Sequence, residues 1–389
     1  MKRTGLTILA LVSFLSAQAQ AQWTPAKRLS WTAGFSGLPR IAADTSGDLY
    51  VVWEENLSAM NTEIFFKKST SGGGTWTTAQ NITRNFSMSW WPDIAVDSLR
   101  NLHLTWTDDV YTANPDVCYK RSTNQGATWS EHRLLTCNDF EPCQEPRLAA
   151  DSSGNLHVVA AYPPFWSIEE TEISYMRSPD RGITWEEDWF VTSNSGESVN
   201  PALAVDSADN PHLVWSDDTD GNYEIFYKKS KDRGVTWSSR KKLTRTSTYS
   251  GYPDIAVDSL DNLHVVWSED INGNGDIFYK KGTDAGATWP LGMRLTNTAA
   301  GSEHPAIAID SSNHIHVVWS DATSGNMEIY YRKSTNGGAT WTPSQRLTWT
   351  SGGSYFPDLT IDSGGNLHVV WHDSTPGNRE IYYKKYVRE

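Results

Sequence analysis

The amino-acid sequence predicts an all-β protein, a seven-bladed β-propeller of four-stranded antiparallel blades. One phrase recurs seven times along the chain, and its cleanest copies begin 52 residues apart, at Pro201, Pro253, Pro305 and Pro357. Each copy contains four short strand-like runs, and none shows helical periodicity. A four-stranded repeat of about this length is typical of a propeller blade.

The copy from 305 to 348 shows the four strands in order. AIAID is a short apolar run, SSNH is a turn, and IHVVWSD is a second run rich in β-branched and aromatic residues. After SGN, the run MEIYYRKS alternates apolar and polar residues with the period of a strand. The Gly-rich turn TNGGATW leads to a fourth run, TPSQRLT. Tight turns between such runs predict one antiparallel sheet for each repeat.

The two ends of the chain are predicted to complete the same blade. The seventh copy ends at Glu389 after its third strand, EIYYKKY, with no fourth strand. The segment WTPAKRLSWTAGFSGLP, which starts at Trp23, repeats WTPSQRLTWTSGGSYFP, which starts at Trp341. We therefore expect Trp23 to Leu29 to supply the missing outer strand and to close the ring, which hides unpaired strand edges. Residues 22–389 are predicted to form this single domain.

Residues 1–21 are predicted to be a secretory signal peptide. Lys2 and Arg3 precede an apolar run from Leu6 to Leu15, and small residues follow it. No later run approaches about 20 apolar residues, so we expect a secreted or periplasmic protein without membrane insertion. The chain has 46 acidic and 33 basic residues, a net charge of −13, which disfavours nucleic acid as a partner. A monomer is expected.

The three cysteines receive two interpretations. Cys137 and Cys143 lie six residues apart in one predicted loop, and we predict a disulfide between them. Cys118 occupies the position of Phe226, Phe278 or Tyr330 in other repeats, so it is expected to be a buried thiol.

Six turns between third and fourth strands follow the pattern S-x-D-x-G-x-T-W. They read STSGGGTW (69–76), STNQGATW (122–129), SPDRGITW (178–185), SKDRGVTW (230–237), GTDAGATW (282–289) and STNGGATW (334–341). The Asp or Asn can accept backbone N–H bonds, the Gly permits a positive φ, and the Trp is expected to pack between blades. Because every blade with this turn has the motif, we predict a structural role.

These turns resemble the Asp-box, or bacterial neuraminidase repeat, of the sialidase-like β-propeller superfamily. The resemblance covers nearly the whole chain after the predicted signal peptide, and it implies the propeller fold. Asp-boxes also occur in lectins, other glycoside hydrolases and receptors, so the resemblance leaves the activity open.

A sialidase would have three arginines that hold the sialic acid carboxylate, an acid/base Asp and a Tyr nucleophile paired with Glu. The resemblance places Arg40, at the start of the first inner strand, where the family has its first arginine. Arg147 holds the same position two blades later. In sialidases the proline follows the Arg-Ile pair, whereas here it precedes the arginine, as a proline precedes this position in every repeat. The sequence marks neither a third arginine nor a Tyr–Glu pair, so a catalytic role for Arg40 and Arg147 is kept only as the alternative.

A histidine recurs in the second strand of six repeats. The six residues are His103, His157, His212, His264, His316 and His368, and Tyr50 takes the position in the first blade. Equivalent residues distributed around a ring cannot converge on one site. We therefore predict structural hydrogen bonds for the histidines, and also for the Asp of the AVDS phrase.

Charged residues begin several inner strands and are predicted to ring the channel mouth. They are Arg40, Asp93, Arg147, Asp254 and Asp358, whereas Ala202 and Ala306 occupy the position in the remaining blades. Aromatic side chains are frequent in the rim loops, among them Trp31, Trp90, Trp91, Tyr249, Tyr252, His304, Trp349, Tyr355 and Phe356. Blade three departs most, with Phe165 and Trp166 in its loop. The rings either stack on sugars or fill gaps between blades, and we favour binding for Trp91, Phe165 and Trp166.

Two loops, DDTDGNYE (217–224) and EDINGNGD (269–276), hold acidic and amide oxygens at alternate positions, as calcium loops do. The glycine is misplaced for a known calcium loop, so a Gly-Asn hairpin turn is the preferred interpretation. No cofactor is predicted, and calcium is kept as an alternative.

The sequence thus predicts an exported sialidase-like propeller that binds glycans or glycoproteins through its loop-rich rim without catalysis. Two alternatives are an exo-α-sialidase or another glycoside hydrolase, and an extracellular protein-interaction scaffold.

Overall fold

The computed structural model describes residues 23–58, 60–110, 115–136, 143–162 and 170–387. The described residues form seven four-stranded antiparallel sheets arranged as a β-propeller, which confirms the predicted fold. In this part of the chain no helix is long and apolar enough to cross a bilayer.

The first strand of the chain, β1 (Lys27–Arg28), belongs to the last blade. Blade one contains β2 (Ser36–Ala43), β3 (Leu49–Ser58), β4 (Asn61–Ser69) and β5 (Gln80–Asn81). Blade two contains β6 (Ser89–Val96), β7 (Leu102–Asp108), β8 (Asp116–Ser122) and β9 (Arg133–Leu134). Blade three contains β10 (Gln144–Ala150), β11 (Leu156–Tyr162), β12 (Glu172–Ser178) and β13 (Trp189–Phe190). Blade four contains β14 (Ser198–Val205), β15 (Pro211–Asp217), β16 (Glu224–Lys229) and β17 (Lys241–Lys242).

The remaining blades repeat this order from the channel outwards. Blade five contains β18 (Ser250–Val257), β19 (Leu263–Ile271), β20 (Asn274–Gly282) and β21 (Met293–Arg294). Blade six contains β22 (Ser302–Ile309), β23 (Ile315–Asp321), β24 (Glu328–Ser334) and β25 (Gln345–Arg346). Blade seven contains β26 (Ser354–Ile361), β27 (Leu367–Asp373) and β28 (Glu380–Tyr386), and β1 completes it.

The ring closes as predicted. Strand β1 pairs with β28 through Lys27 opposite Tyr383 and Arg28 opposite Tyr382. Trp23 forms a further antiparallel bridge with Tyr386. The hydrophobic core lies between successive blades, where alternate residues of facing sheets interdigitate.

The turns between third and fourth strands have the predicted hydrogen bonds. In blade four the amide N–H and hydroxyl of Thr236 donate to Asp232 over 2.8 and 2.6 Å. Gly234, with φ of 90°, donates its N–H to the Ser230 hydroxyl over 2.8 Å. Trp237 then packs edge-on against Tyr175 of the preceding blade, with ring centroids 5.2 Å apart. The motif therefore holds the turn and joins neighbouring blades.

The recurring histidines form a structural network, as predicted. In each of the six blades the histidine Nδ1 lies 2.6–2.9 Å from a tyrosine hydroxyl on the third strand. The Nε2 lies 3.0–3.6 Å from the Asp that ends the inner strand. In four of these blades the carboxylate is hydrogen-bonded to Nε2 and can only accept, so there the tyrosine hydroxyl donates to Nδ1. Blade one replaces the pair by Tyr50 and Phe66, and the Tyr50 hydroxyl donates directly to Asp44 over 2.8 Å.

We expect His212→Ala to lower the free energy of unfolding by about 2–4 kcal/mol, because it removes one hydrogen bond each from the Tyr227 hydroxyl and Asp206 and leaves a cavity at the buried ring. The double variant His212→Tyr/Tyr227→Phe reproduces the arrangement of blade one and should recover at least half of this loss. Urea unfolding followed by circular dichroism measures both values. Equal losses in the two variants would show that only packing at His212 matters.

The cysteine predictions have different outcomes. Cys118 is buried opposite Trp106, which confirms the predicted buried thiol. Cys143 is also buried and takes the place of the serine that precedes or begins the inner strand in the other blades. Its Sγ lies 3.4 Å from the Thr136 hydroxyl. Cys137 lies outside the described residues, so the disulfide with Cys143 stays a prediction.

Candidate binding site at the channel mouth

All seven inner strands begin with the same β-bulge. The pairing register shifts between Gly37 and Arg40 in blade one and between Gly251 and Asp254 in blade five, and the other five blades shift at the equivalent residues. Within each bulge, the residue before the proline has a φ between 45° and 53°. We call these seven residues the bulge tier: Leu38, Trp91, Glu145, Asn200, Tyr252, His304 and Phe356.

The left-handed conformation of the bulge tier is costly for such side chains. Bulky non-glycine residues rarely adopt a positive φ, and a following proline restricts the residue before it further. A bulge redirects the side chain that it carries, and bulges of this kind are frequent beside functional sites. The repetition in seven blades shows that the fold imposes the conformation, whereas the residue type is left free to vary.

The bulge tier surrounds a cavity of about 390 Å³ at one end of the channel. A second ring lies beneath it, which we call the slot tier and which consists of the residue after each proline: Arg40, Asp93, Arg147, Ala202, Asp254, Ala306 and Asp358. A volume of this size is at the small end of the range for ligand pockets.

The structure brings most of the sequence-predicted site residues into this one cavity. Arg40, Asp93, Arg147, Asp254 and Asp358 line it, and so does Trp91. Phe165 and Trp166 lie outside the described residues, so their role stays a prediction. Sequence reasoning missed Glu145 and Asn200. The signal that could have found them is the residue before the proline of every repeat.

One side of the mouth is a continuous aromatic arc. The Tyr252 and His304 rings have centroids 4.4 Å apart, and the His304 and Phe356 rings are 4.0 Å apart. Tyr252 is 37% exposed. Around the ring the next two bulge-tier residues are Leu38 and Trp91, so five consecutive blades present apolar or aromatic side chains.

The opposite side of the mouth is polar. The Asn200 amide donates to the Glu145 carboxylate over 2.9 Å, so that blades three and four are joined at the rim. Below them, Arg147 Nε lies 3.3 Å from the carbonyl oxygen of Pro201. This bond uses one of the five N–H groups of the guanidinium. The mouth is therefore amphipathic, with aromatic rings facing carboxylate, amide and guanidinium groups.

The slot-tier aspartates have a structural role that the sequence did not reveal. Each carboxylate accepts a backbone N–H from the inner strand of the following blade. Asp93 binds Leu148 over 2.7 Å, Asp254 binds Ile307 over 2.8 Å, and Asp358 binds Ile41 over 2.8 Å. In three blades, the hydrogen bond from the carboxylate to the next blade thus explains why a charged residue begins the inner strand.

Burial raises the pKa values of these three carboxyls. Burial raises the pKa of Asp93 to about 7 and that of Asp254 to about 6, and it also raises the pKa of Asp358. The Arg40 guanidinium opposes all three shifts, and its Nη1 lies 3.9 Å from Asp358 Oδ1. The side chains of Arg40 and Asp358 are 26% and 17% exposed. The mouth therefore combines three carboxyls whose pKa values are raised with two arginines.

A further layer of buried polar groups lies beside the mouth. The position after the second-strand Trp is Glu54 in blade one and His372 in blade seven, where blades two, four, five and six have Thr or Ser. Burial raises the pKa of Glu54 to about 7, although the Trp91 N–H and the charge of Arg379 lower it. Burial lowers the pKa of His372 to about 3. Sequence reasoning missed both residues, although they depart from the repeat.

The candidate calcium loops resemble ordinary turns. Asn272 and Gly273, at the tip of the β19–β20 hairpin, have φ of 58° and 85°, as a two-residue type I′ turn requires. Within the described ranges, no three His, Cys, Asp or Glu side chains are placed together to hold a metal ion.

Comparisons with known proteins show similarity of fold. No protein-family model and no curated protein matches the sequence. A polysaccharide lyase, an ulvan lyase solved with a bound saccharide, is similar with a TM-score of 0.67 at 10% identity over 90% of this chain and 94% of its own. The Hadza microbial sialidase Hz136 is similar with a TM-score of 0.54 at 18% identity, over 85% of this chain and 74% of its own. An α-L-arabinanase of Penicillium chrysogenum with bound arabinobiose is similar with a TM-score of 0.54 at 17% identity, over 76% of this chain and 92% of its own.

Proposed function

We propose that this chain is an exported glycan-binding protein that takes saccharide units of glycans or glycoproteins into the channel mouth without catalysis. The observation that supports the proposal is the amphipathic bulge tier. Five neighbouring blades present apolar or aromatic side chains there, and the two remaining blades present the bonded pair Glu145 and Asn200.

A pyranose has the matching surface. Its ring carries C–H groups on its faces, which stack on aromatic side chains, and hydroxyls at its edge, which bond carboxylate, amide and guanidinium groups. The arc of Tyr252, His304 and Phe356 offers the stacking surface, since its rings lie 4.0–4.4 Å apart in sequence around the mouth. The pair of Glu145 and Asn200 offers acceptors and donors on the opposite side.

The charge balance favours uncharged saccharides. An exo-sialidase site would gather three arginines around the ligand carboxylate, but only Arg40 and Arg147 line the described cavity. Arg40 is surrounded by Asp93, Asp254 and Asp358, each of which attracts it. Those carboxyls also accept backbone N–H bonds, so we assign them to structure and not to acid–base catalysis. The similar folds of a lyase, a sialidase and an arabinanase fit a carbohydrate ligand.

Binding to an array of neutral glycans should therefore be weakened at least about tenfold by Tyr252→Ala or Trp91→Ala, because each removes a stacking surface. Trp349→Ala is the matched control. Trp349 is a rim tryptophan that is 68% exposed, stands against Lys384 and Arg346, and does not line the cavity. Titration calorimetry on the best array ligand measures the three affinities.

Two results would contradict the proposal. Equal affinities for the wild type and both mouth variants would place binding elsewhere. Hydrolysis of a fluorogenic sialoside by the wild type, lost in Arg40→Ala, would establish the exo-sialidase alternative.

A further inference from the structure

The wall around the mouth is interrupted at one seam between blades. At six seams, a residue at the start of the third strand, or just before it, accepts a backbone N–H from, or bridges to, the start of the next inner strand. Gly275 occupies this position at the seam between blades five and six. Two residues therefore lie beside each seam. One is this third-strand residue, and the other is the residue that precedes the inner strand of the next blade. The described pairs are Thr62 with Met88, Thr171 with Glu197, Tyr223 with Tyr249, Gly275 with Gly301, Met327 with Gly353, and Arg379 with Phe35.

Among these pairs, the seam between blades five and six alone has glycine on both sides. A Cβ on Gly275 would lie 2.8 Å from the Ser302 carbonyl oxygen, so the blade backbones approach closely there and no side chain covers them. A Cβ on Gly301 would meet nothing within 4 Å. At the seam between blades six and seven, by contrast, the space beside Gly353 is filled by the Tyr355 ring. We call the gap at Gly275 and Gly301 the notch.

The notch leads directly from the aromatic arc. Tyr252 of blade five and His304 of blade six stand at its inner end, with their rings 4.4 Å apart. The β19–β20 hairpin, which continues to Ile271 and Asn274, borders the notch on the blade-five side. A saccharide stacked on Tyr252 would therefore leave the mouth over two residues that carry no side chain.

Unpartnered polar atoms also face this seam. The Ser268 hydroxyl has no hydrogen-bond partner, and the residue is 5% exposed. Ser268 lies two residues after Val266, which packs against Ile307 and Trp319 of blade six, so its side chain is on the strand face turned to the notch. His304 Nδ1 makes no hydrogen bond, and its nearest partner is the Glu303 carboxylate, whose Oε1 is 3.6 Å away.

We propose that the notch is a second saccharide subsite, through which the rest of a neutral oligosaccharide leaves the mouth between blades five and six. The inference rests on the proposed function. It adds that the mouth binds the terminal sugar of the oligosaccharide, while the next sugar units lie over Gly275 and Gly301. Their hydroxyls would satisfy the Ser268 hydroxyl and His304 Nδ1, directly or through a water molecule.

The test compares short and long probes on a variant that fills the notch. Gly301→Trp suits it, because Gly301 has an ordinary φ and open space at its Cβ. The probes are the methyl glycosides of glucose, galactose, mannose and xylose, and the corresponding linear tetrasaccharides. We expect Gly301→Trp to weaken tetrasaccharide binding about tenfold while methyl glycoside binding stays unchanged. Glu197→Trp, at the equivalent position of blade four, should change neither.

The outcomes distinguish failure of the notch from failure of the proposed function. Unchanged tetrasaccharide affinity in Gly301→Trp, with Tyr252→Ala still weakening both probe classes, overturns the notch and leaves the mouth site standing. Loss of tetrasaccharide affinity in Glu197→Trp alone places the exit between blades three and four, and it also overturns the inference. Probe binding that is insensitive to Tyr252→Ala overturns the proposed function itself.

Discussion

A chain that begins at Trp31, and so lacks the N-terminal strand, is expected to lose at least about 5 kcal/mol of unfolding free energy. The deletion removes Leu29, which is 1% exposed and packs in one cluster with Trp53 and Tyr383. It also removes Arg28 and Ser30, whose side chains bind the buried Glu380 carboxylate over 2.7 and 2.5 Å. The deletion leaves the buried Glu380 carboxylate without its cation, which costs several kcal/mol, and the cavity left by Leu29 adds to that cost.

Moving the strand instead of deleting it provides the control. In the other blades a third strand is followed by the turn S-x-D-x-G-x-T-W and then by the outer strand. A permuted chain that starts at Trp31, and in which the sequence STNGGAT and then 23–30 follow Lys385, should regain the wild-type thermal midpoint. The point variant Trp31→Ala should leave stability unchanged, because Trp31 is largely exposed. Thermal unfolding of all four proteins by circular dichroism gives the comparison. A truncated chain that melts with the wild type would show that the ring holds without β1.

The architecture was predictable because the sequence repeats it. Each blade is specified by local alternation and turn residues, and the similarity of the segments at Trp23 and Trp341 reveals the closure directly. The same repetition identified the histidines as structural, since six equivalent copies cannot meet at one site. These inferences need only the chain's own period and no knowledge of the tertiary contacts.

The site was predictable only in part, and the reason lies in the backbone. Arg40 and Arg147 stood out because they depart from a consensus at one position. Glu145 and Asn200 did not, because the bulge tier has no consensus from which to depart. Their importance comes from a left-handed bulge that turns each side chain into the mouth, and a side-chain pattern does not encode this direction. The bonds from Asp93, Asp254 and Asp358 likewise depend on how closely the next blade approaches.

The bulge tier also separates stability from recognition. The bulge and its proline recur in all seven blades, whereas the residue before the proline is different in each. A position whose conformation is fixed and whose side chain is variable can change ligand contacts without altering the core. The slot tier beneath it differs, since three of its members join blades.

Arg40→Met is expected to destabilise the protein at pH 8 by about 2–4 kcal/mol and much less at pH 5. Asp93 and Asp254 have folded-state pKa values of about 7 and 6, above the value of about 4 for an unfolded chain. A raised folded-state pKa contributes stability that is complete below about pH 4 and is lost as the pH rises through about 6 to 7. Arg40 limits that loss, because its charge lowers the pKa values of both carboxyls and of Asp358. Without it, the three buried carboxyls must ionise near one another without the cation that lowers their pKa values.

The comparison of the variant with the wild type isolates this effect, because other titrating groups contribute equally to both proteins. Unfolding free energies from guanidinium titrations at pH 5 and pH 8 provide the four values required. The double variant Arg40→Met/Asp358→Asn should recover part of the loss at pH 8, since it removes the carboxylate that lies 3.9 Å from the guanidinium. If Arg40→Met loses the same free energy at both pH values, Arg40 acts through packing and its charge does not stabilise the slot tier. A loss confined to pH 8 would instead show that one cation keeps the three carboxyls of the mouth compatible with a closed ring.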